Sequence, residues 1–350
     1  MGKKEVVTII SNDWHINSDN TNEIINVVRD KVILANSLGI KMVFAIGDIF
    51  QSRQAQPLKV LKCFEEILDI FGDSQIKLVV IPGNHDKTSY ESKNSFLDSF
   101  SYHPALFLMR EADCIDLNKI NFILIPYFTN EVWLKELEFA KKYIDIGEYN
   151  QNILLSHISM SGSVNNDGTK VSDGISPKLL KDFDAVYLGH YHNFHKVSGE
   201  VYHLPSIRQN NFGEDDNKGF TLVYSDGSFE IKRSNFKQFK TVEINLEEIE
   251  KGGLKELISS LEPNEHFTRL KLKGPEDLLK GVKIDELKAL GFDVKTEQKD
   301  ITDSIEDIRE GNVTNFDESS ILKEFEVFCE KEGYEDFDFG FMFLKKGLKV

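Results

Sequence analysis

The sequence predicts an α/β fold with parallel strands, because short apolar runs alternate with helical periodicity through the first 240 residues. In the helical stretches apolar side chains recur at spacing three and four, as in an amphipathic helix. The opening order of strand, helix, strand, helix and strand falls on Val6–Ile10, Glu23–Leu38, Met42–Ile46, Pro57–Phe71 and Lys77–Ile81. This order predicts a parallel sheet with helices packed on it, since each crossover returns the chain to the same end of the sheet.

Six further strands are predicted before residue 240, and Asp226 with Gly227 predicts a hairpin turn between the last two. These strands are Asn121–Ile125, Asn152–Ser156, Ala185–Leu188, Val201–Leu204, Phe220–Tyr224 and Ser228–Lys232. Residues 1–240 are therefore expected to form one large domain with a sizeable core.

The last third of the chain predicts three further units. Residues 241–299 alternate strand and helix in the order βαβαβ, which predicts a small second domain of about 60 residues. Residues 300–316 are polar and acidic, which is typical of a linker. Residues 317–350 contain an apolar helical run and then alternating phenylalanines, which predicts a C-terminal helical tail. Ile321, Leu322, Phe325 and Phe328 would share one face of that helix, which would either bind a partner or pack back on its own domain.

Net charge at first argues against a nucleic-acid-binding protein. The chain has 350 residues, of which 58 are acidic and 42 basic, so its formal net charge is −16. A broadly basic surface for nucleic acid is not expected from such a balance. Residues 300–338, however, hold 14 acidic and 3 basic residues, a net of −11, which leaves −5 for the remainder. Most of the charge lies in the predicted linker and tail, so nucleic acid is not excluded.

Targeting and redox signals point to the cytoplasm. No apolar run approaches the roughly 18–20 residues of a membrane span, and the N-terminus leads directly into a predicted strand. The three cysteines (Cys63, Cys114 and Cys329) are far apart, so neither a disulfide framework nor a cysteine-rich zinc site is expected. We therefore expect a cytoplasmic protein.

Polar side chains able to bind a metal follow five of the predicted strands, where those strands end. Functional groups gather beyond the carboxyl ends of strands in open α/β sheets, so we expect these side chains to meet. Carboxylate, amide and imidazole ligands suit Mn²⁺, Fe²⁺ or Zn²⁺. Two such ions about 3.5–4 Å apart can hold a phosphate and activate a water. The candidate ligands are Asp13, His15, Asp48, Asn84, His157, His190 and His192.

Spacing gives some of these residues a more definite role. Asp13 and His15 are expected on one side of an extended segment, and so are His190 and His192. Asp48 is the natural candidate to bridge two ions, because its glycine neighbour lets backbone and metals approach closely.

The motifs Asp-x-His, Gly-Asp, Gly-Asn-His-Asp, a single His and Gly-His-x-His occur in this order. In this order they resemble the marks of calcineurin-like metallophosphoesterases, over about residues 5–235. Within that superfamily the chain is most similar to SbcD-type DNA repair nucleases, especially the recombination nuclease subunits of large tailed phages. The narrower resemblance rests on Asp13-Trp14-His15, Gly47-Asp48-Ile49-Phe50, residues 213–220, and the small domain with its tail.

The resemblance implies a four-layer α-β-β-α sandwich with a capping, DNA-binding second domain. It implies a Mn²⁺-dependent DNA exonuclease or endonuclease with two ions, for which Mg²⁺, Fe²⁺ and Zn²⁺ are alternatives. The first ion would be held by Asp13, His15, Asp48 and His192. The second ion would be held by Asp48, Asn84, His157 and His190. The resemblance also implies three partners, and it favours partner binding by the tail. They are DNA, an SMC-like SbcC-type ATPase bound through residues 317–350, and a second copy of the chain bound through helices near residues 57–71 and 94–101. If a phage encodes the chain, its location would be the host cytoplasm.

The same resemblance makes His85 the non-ligand histidine that protonates the leaving oxygen, a role that suits an imidazole near neutral pH. Asp86 is expected to orient His85. Gln51 stands where many relatives have a second aspartate. Four basic residues lie in loops near the motifs and are candidates for phosphate contacts. They are Arg53, Lys87, Lys170 and Arg208.

Two alternatives remain open at this point. One is a phosphomonoesterase or protein phosphatase of the same superfamily. Serine/threonine phosphatases usually carry Gly-Asp-x-Val-Asp-Arg-Gly, whereas residues 47–53 here lack the second aspartate and displace the arginine. The other is a scaffold that recruits an SMC-like ATPase and has a vestigial metal site, which the complete set of seven ligand types disfavours.

Overall fold

The computed structural model describes residues 4–144, 147–165, 168–249, 253–261 and 266–298. The predicted linker (300–316) and tail (317–350) lie outside the described residues. None of the described helices is long and apolar enough to cross a membrane.

The first of two six-stranded sheets carries the predicted β-α-β-α-β opening. Its order is β12-β11-β1-β2-β3-β4, and the pairs β1-β2, β2-β3 and β3-β4 are parallel. The strands are β1 (Val6–Ser11), β2 (Met42–Ile46), β3 (Lys77–Ile81), β4 (Leu106–Leu108), β11 (Gly219–Tyr224) and β12 (Phe229–Arg233). Its crossover helices are α1 (Thr21–Ser37) and α2 (Leu58–Asp73).

The second sheet has the order β5-β6-β7-β8-β10-β9, with β6, β7, β8 and β10 parallel to one another. The strands are β5 (Asp113–Leu117), β6 (Ile120–Ile125), β7 (Gln151–His157), β8 (Ala185–Gly189), β9 (His195–Ser198) and β10 (Val201–His203). Helix α3 (Asn130–Ala140) follows β6.

The two sheets stack face to face with helices outside them, which confirms the predicted α-β-β-α sandwich. Alternate residues of one strand enter different cores, because successive side chains of a strand point to opposite faces. Phe44 of β2 packs between the sheets against Phe122 of β6, while its neighbours Val43 and Ala45 pack under α1 and α2. A third core lies between the second sheet and α3, where Trp133 is fully buried.

A third sheet forms the compact second unit. Its three parallel strands are β13 (Phe239–Asn245), β14 (Phe267–Gly274) and β15 (Asp293–Gln298). Helix α4 (Gly253–Ser260) crosses from β13 to β14, and α5 (Glu276–Lys280) with α6 (Ile284–Ala289) crosses from β14 to β15. The order is thus βαβααβ rather than the predicted βαβαβ, because five residues are too few for α5 to show periodicity.

Several elements were not predicted from the sequence. Strands β4, β5 and β9 span three to five residues, too short for alternation to distinguish them from loops. Helix α3 does carry a helical signal, because Trp133, Leu137 and Ala140 recur at spacing four and three and are all buried. The predicted hairpin is present, with Gly227 at φ 77° between β11 and β12.

Candidate metal centre and active site

The loops that follow β1, β2 and β8 bend sharply as soon as the strands end. Asp13, His15, Asp48 and His190 all have positive φ, at 52°, 49°, 53° and 89°. Such left-handed backbone costs a non-glycine residue about 1–3 kcal/mol, and it is typical of functional sites. We expected Asp13 and His15 to share one side of an extended segment. Their side chains do lie together, but the segment is not extended. Their side chains meet because the chain turns at each residue.

Main-chain hydrogen bonds hold these bends together. The amide of Asp13 donates to the carbonyl of Gly47, and the amide of His15 donates to the carbonyl of Asp48, both at 3.0 Å. The amide of His190 donates to the carboxylate of Asp13 at 3.2 Å. The ends of β1 and β2 are thus joined through main chain alone, and the end of β8 is attached to them through the Asp13 carboxylate.

Asp13, His15 and His192 form the first group of candidate ligands. The Nε2 atoms of His15 and His192 lie 3.0 Å apart, and each is 3.8 Å from Oδ1 of Asp13. Asp13 and His15 are buried, and the His192 side chain is 14% exposed. Oδ2 of Asp48 is 3.7 Å from Nε2 of His15.

Asn84, His157 and His190 form the second group of candidate ligands. Oδ1 of Asn84 is 3.1 Å from Nε2 of His157 and 2.9 Å from Nδ1 of His190. Oδ2 of Asp48 is 3.4 Å from Nε2 of His157. The Asp48 carboxylate therefore lies between the two groups, and the structure brings all seven predicted ligands together.

The candidate ligand atoms face one another across positions that either a proton or a metal ion would satisfy. Nδ1 of His157 donates to the carbonyl of Ile46 at 2.9 Å, so in the neutral ring Nε2 carries a lone pair. That lone pair faces Oδ2 of Asp48 and Oδ1 of Asn84, which are acceptors themselves. In the first group Nδ1 of His192 faces the carboxylate of Glu214, so its Nε2 is directed toward His15. The donor set fits borderline divalent ions such as Mn²⁺, Fe²⁺ or Zn²⁺.

The pKa shifts of the buried groups also indicate that the centre favours a positive charge. Burial opposes ionisation of Asp48, but His157 and His15 outweigh it and hold the pKa of that carboxyl well below its usual range. Burial alone would lower the pKa of His157, yet the Asp48 carboxylate raises it to about 9. Burial raises the pKa of Asp13. Positive charge at the centre therefore stabilises the carboxylates. In the chain alone a second proton, on Nε2 of His157, supplies it, and a metal ion would take the place of that proton.

His85 lies beside the two groups, and together with His15 and Asp48 it forms a further set of candidate ligand atoms within 4.8 Å of one another. Its amide donates to Oδ1 of Asp48 at 2.8 Å, and its Nδ1 donates to the carbonyl of Gln51 at 2.6 Å. Nη2 of Arg53 donates to its Nε2 at 3.1 Å. The ring lines an open cavity of about 340 Å³ over the ligands.

Asp86 has a different role from the one predicted. Its buried carboxylate accepts hydrogen bonds from the amides of Gly83, Ile49 and Phe50, at 2.8, 3.3 and 2.9 Å. Burial and the neighbouring Asp48 raise its pKa to about 7. Asp86 ties the loop after β3 to the loop after β2. It does not orient the ring of His85, whose hydrogen bonds go to Gln51 and Arg53.

Glycines next to the ligands allow the close approach that the centre needs. A Cβ on Gly47 would lie 2.3 Å from Nδ1 of His157, and φ at Gly47 is +91°. A Cβ on Gly83 would lie 2.2 Å from the amide nitrogen of Asp48. Neither position has room for any other residue.

Sequence reasoning gave Glu214 and Lys218 no role, although both lie in the segment 213–220 that carried the narrower resemblance. Oε1 of Glu214 is 2.7 Å from Nδ1 of His192 and accepts from Asn211 at 2.8 Å. Nζ of Lys218 donates to the carbonyl of His192 at 2.7 Å. Both side chains are buried, so this loop positions one ligand of the first group.

Two of the four candidate phosphate contacts are occupied elsewhere. Lys87 is buried and donates to the carbonyls of Ser92 and Tyr127. Arg208 is buried and pairs with Glu23 at 3.0 Å. Lys170 is exposed in the loop after β7, whereas Arg53 lines the cavity.

The second unit contacts the segment between β10 and β11, which carries Glu214. Phe212 packs edge-on against Phe239, which in turn stacks on Phe267 with ring centroids 4.6 Å apart. The guanidinium of Arg269 lies 4.0 Å from the centroid of the Phe212 ring. Oε1 of Gln209 accepts from the amide of Phe239 at 2.9 Å. The start of the third sheet is therefore adjacent to one side of the metal centre.

The protein has two stacked β-sheets with helices on their outer faces, and seven candidate ligands lie where strands of both sheets end. This places it in the class of α/β proteins with a candidate dinuclear metal centre. The particular family follows from the sequence: the model of the calcineurin-like phosphoesterase family matches residues 7–194. The chain belongs to this family, which confirms the predicted resemblance.

Individual relatives are distant. Exonuclease subunit 1 of Enterobacteria phage T4 is 24% identical over 218 residues, which cover 60% of this chain and 62% of that protein. The chain thus spans about three fifths of that relative. Among solved structures, a dimetal phosphatase from Danio rerio has a TM-score of 0.44 at 10% identity, covering 63% of this chain and 93% of that one. The nuclease MPE of Pseudomonas putida has a TM-score of 0.28 at 15% identity, covering 57% and 67%.

Proposed function

We propose that the protein is a Mn²⁺-dependent DNA nuclease, the catalytic subunit of an SbcCD-like ATPase–nuclease complex that processes DNA ends in recombination and repair. The observation that carries this proposal is the position of Asp48 between two complete ligand groups. Family membership supports hydrolysis of a phosphate ester, and the phage relative named as an exonuclease subunit supports DNA as the substrate.

The seven ligands are proposed to hold two divalent ions. Asp13, His15 and His192 would hold one, Asn84, His157 and His190 the other, and Asp48 would contact both. A pair of such ions, when bound, stabilises the negative charge that develops on a phosphate ester under attack. The protein supplies the fixed geometry, through the main-chain bonds of the bent loops and through Glu214 behind His192.

His85 is proposed to protonate the leaving oxygen. Its ring lines the cavity beside Asp48, while the carbonyl of Gln51 fixes Nδ1 and leaves Nε2 toward the cavity. A positioned imidazole of this kind contributes about 10²–10⁴-fold to a rate. Asp86 supports this arrangement only indirectly, by holding the two loops from which His85 and Gln51 extend.

The decisive experiment compares substrates for the full chain with Mn²⁺. The proposal predicts cleavage of labelled single-stranded and duplex oligonucleotides, with slower turnover of phosphoserine peptides. His85→Ala should lower DNA cleavage by about 10²–10⁴-fold while two ions still bind. His103→Ala is the matched control, since that histidine lies outside the cavity and pairs with Asp69.

Three results would each overturn a different part of the proposal. Turnover of phosphoserine peptides without DNA cleavage would make the protein a phosphatase. Full DNA cleavage by His85→Ala would remove the role of that histidine. A full chain that binds an SMC-like ATPase but no metal would instead be a scaffold.

Partner binding by residues 317–350 and dimerisation near residues 57–71 and 94–101 remain predictions. The phage relative is named as one subunit of an exonuclease, which supports an assembly. Phe325→Asp with Phe328→Asp in the full chain should abolish co-purification with an SMC-like ATPase and leave cleavage of short DNA unchanged. Retained co-purification would exclude this helix face as the contact.

A further inference from the structure

Arg53 differs from the other arginines of the described residues in the groups that surround its charge. Ten side chains line the cavity over the metal ligands, and Arg53 is the single lysine or arginine among them. Of the six arginines in the described residues, the other five each lie within 4.0 Å of a carboxylate. These five are Arg29, Arg110, Arg208, Arg233 and Arg269. Arg53 forms no such ion pair with any described residue.

Its guanidinium is nevertheless held in place. Nη1 donates to the hydroxyl of Tyr90 at 2.6 Å, and Nη2 donates to Nε2 of His85 at 3.1 Å. The ring of Tyr90 packs against Tyr127, and Tyr127 stacks on the ligand His190. A cation without a counter-ion is therefore positioned at the cavity by neutral groups that are built onto the metal centre.

We propose that Arg53 is the phosphate-binding residue of this site, and that it rests on His85 when no phosphate is present. A guanidinium presents several donors in a planar fork that matches a phosphate, and its two hydrogen bonds leave other donors free. The carbonyl of Gln51 occupies Nδ1 of His85, so Nε2 is the nitrogen that can reach a substrate. While Nε2 accepts from Arg53 it carries no proton. When Arg53 moves onto a phosphate oxygen, Nε2 becomes free to take up a proton from water, and this is the proton that His85 would give to the leaving oxygen. Binding of the phosphate thereby makes available the residue proposed to act on the leaving group.

This inference rests on the proposed hydrolysis of phosphate esters, but it does not require DNA to be the substrate. Its experiment therefore measures inorganic phosphate binding to the Mn²⁺-loaded full chain by calorimetry. KM and kcat for thymidine 5′-(p-nitrophenyl phosphate) are measured alongside. Nitrophenolate leaves without a proton donor, so this ester separates phosphate binding from action on the leaving group.

Arg53→Gln should weaken phosphate binding and raise KM, each by about 10–100-fold, which is the range for the loss of one charge-assisted hydrogen bond. The value of kcat should change by less than about threefold. Arg53→Lys should recover part of the affinity, because it keeps the charge without the fork. Tyr90→Phe should give a smaller loss of the same kind. Arg29→Gln is the control, since Arg29 pairs with Glu66 on the surface and should change neither value.

The opposite pattern would overturn the inference. If Arg53→Gln and Arg53→Lys bind phosphate as tightly as the parent chain and only DNA cleavage slows, then Arg53 merely holds His85. If phosphate affinity falls as expected but the parent chain never cleaves DNA, Arg53 keeps its role and the proposed nuclease function fails. Metal content of each variant shows that the site is intact, and Arg53→Lys covers a failure of Arg53→Gln to fold.

Discussion

The two ligand groups are built from similar side chains, but the protein fixes them in different ways. In the second group His157 is fully buried, and its Nδ1 donates to a main-chain carbonyl of β2. In the first group His192 is partly exposed, and a side chain from another loop, Glu214, orients it. A strand carbonyl cannot move without disrupting the sheet, whereas a loop carboxylate can. The second group should therefore be the more rigid, and the first the more sensitive to its surroundings.

Asp48→Asn should have the largest effect, because Asp48 is shared by both groups. Replacing the carboxylate removes the charge that both ions need, and we expect hydrolysis to fall by at least about 10³-fold. Bound Mn²⁺ should fall below two per chain, measured by elemental analysis after gel filtration. Two ions retained at parental affinity would mean that Asp48 is not shared.

Gly47→Ala should damage the second group selectively. The new Cβ would meet Nδ1 of His157 at 2.3 Å and would also be strained at φ +91°. We expect one ion per chain instead of two, and a rate lower by about 10²-fold. Gly39→Ala is the control, since φ there is +71° and no atom lies within 4 Å of its Cβ. If both variants bind two ions, the rigidity assigned to His157 is wrong.

Glu214→Gln should affect the first group alone. Loss of a carboxylate behind a metal-bound histidine weakens metal affinity by about 10–100-fold. A competition titration with a chelator should show one weakened ion and one unchanged ion. Asp216→Asn removes a charge from the same loop but only breaks a surface pair with Arg233, so it should leave both affinities unchanged. Equal weakening of both ions would contradict the division into two groups.

The smallest effects are expected on stability, from two buried lysines, one near each group. Nζ of Lys31 donates to Ser11 next to the first group, and it pairs with no carboxylate among the described residues. Nζ of Lys87, near the second group, donates to two main-chain carbonyls. Lys31→Met should raise the free energy of unfolding by roughly 1–4 kcal/mol. Lys87→Met should lower it by roughly 1–3 kcal/mol, because two carbonyls lose their donor.

The pH dependence of Lys31 has a definite sign. Burial lowers its pKa from 10.5 to about 7, so between those values the unfolded chain binds one more proton than the folded chain. Stability contributed by this residue therefore rises with pH over that window, by up to about 1.4 kcal/mol per pH unit. Urea unfolding of Lys31→Met should show that slope reduced. An unchanged slope would place the titration elsewhere.

The seven candidate ligands could be predicted from the sequence to lie together, but their supports could not. Residue type at five strand ends was enough for this, because parallel strands deliver their carboxyl ends to one edge. That these residues bind metal stays a prediction. The positive φ values at Asp13 and His190 could not be read, since nothing in the local sequence demands them. Glu214 lies 22 residues from His192 in another loop, so only the folded chain shows their contact.

The sequence also contains periodicity signals for two features that were not predicted from it, the burial of Lys31 and helix α3. Lys31 lies seven residues after Ile24 on α1, which places it on the apolar face and predicts its burial. Helix α3 shows the same periodicity through Trp133 and Leu137. For Asp86 the sequence signal was misleading. Its place in the Gly-Asn-His-Asp motif suggested His85 as its partner. In the structure its carboxylate accepts hydrogen bonds from three main-chain amides instead.

The most direct test of the two-group account is anomalous diffraction from crystals of the full chain soaked in Mn²⁺. The account predicts two peaks about 3.5–4 Å apart, both in contact with the Asp48 carboxylate. One peak should contact Asp13, His15 and His192, and the other should contact Asn84, His157 and His190. A single peak, or two peaks of which only one contacts Asp48, would contradict it.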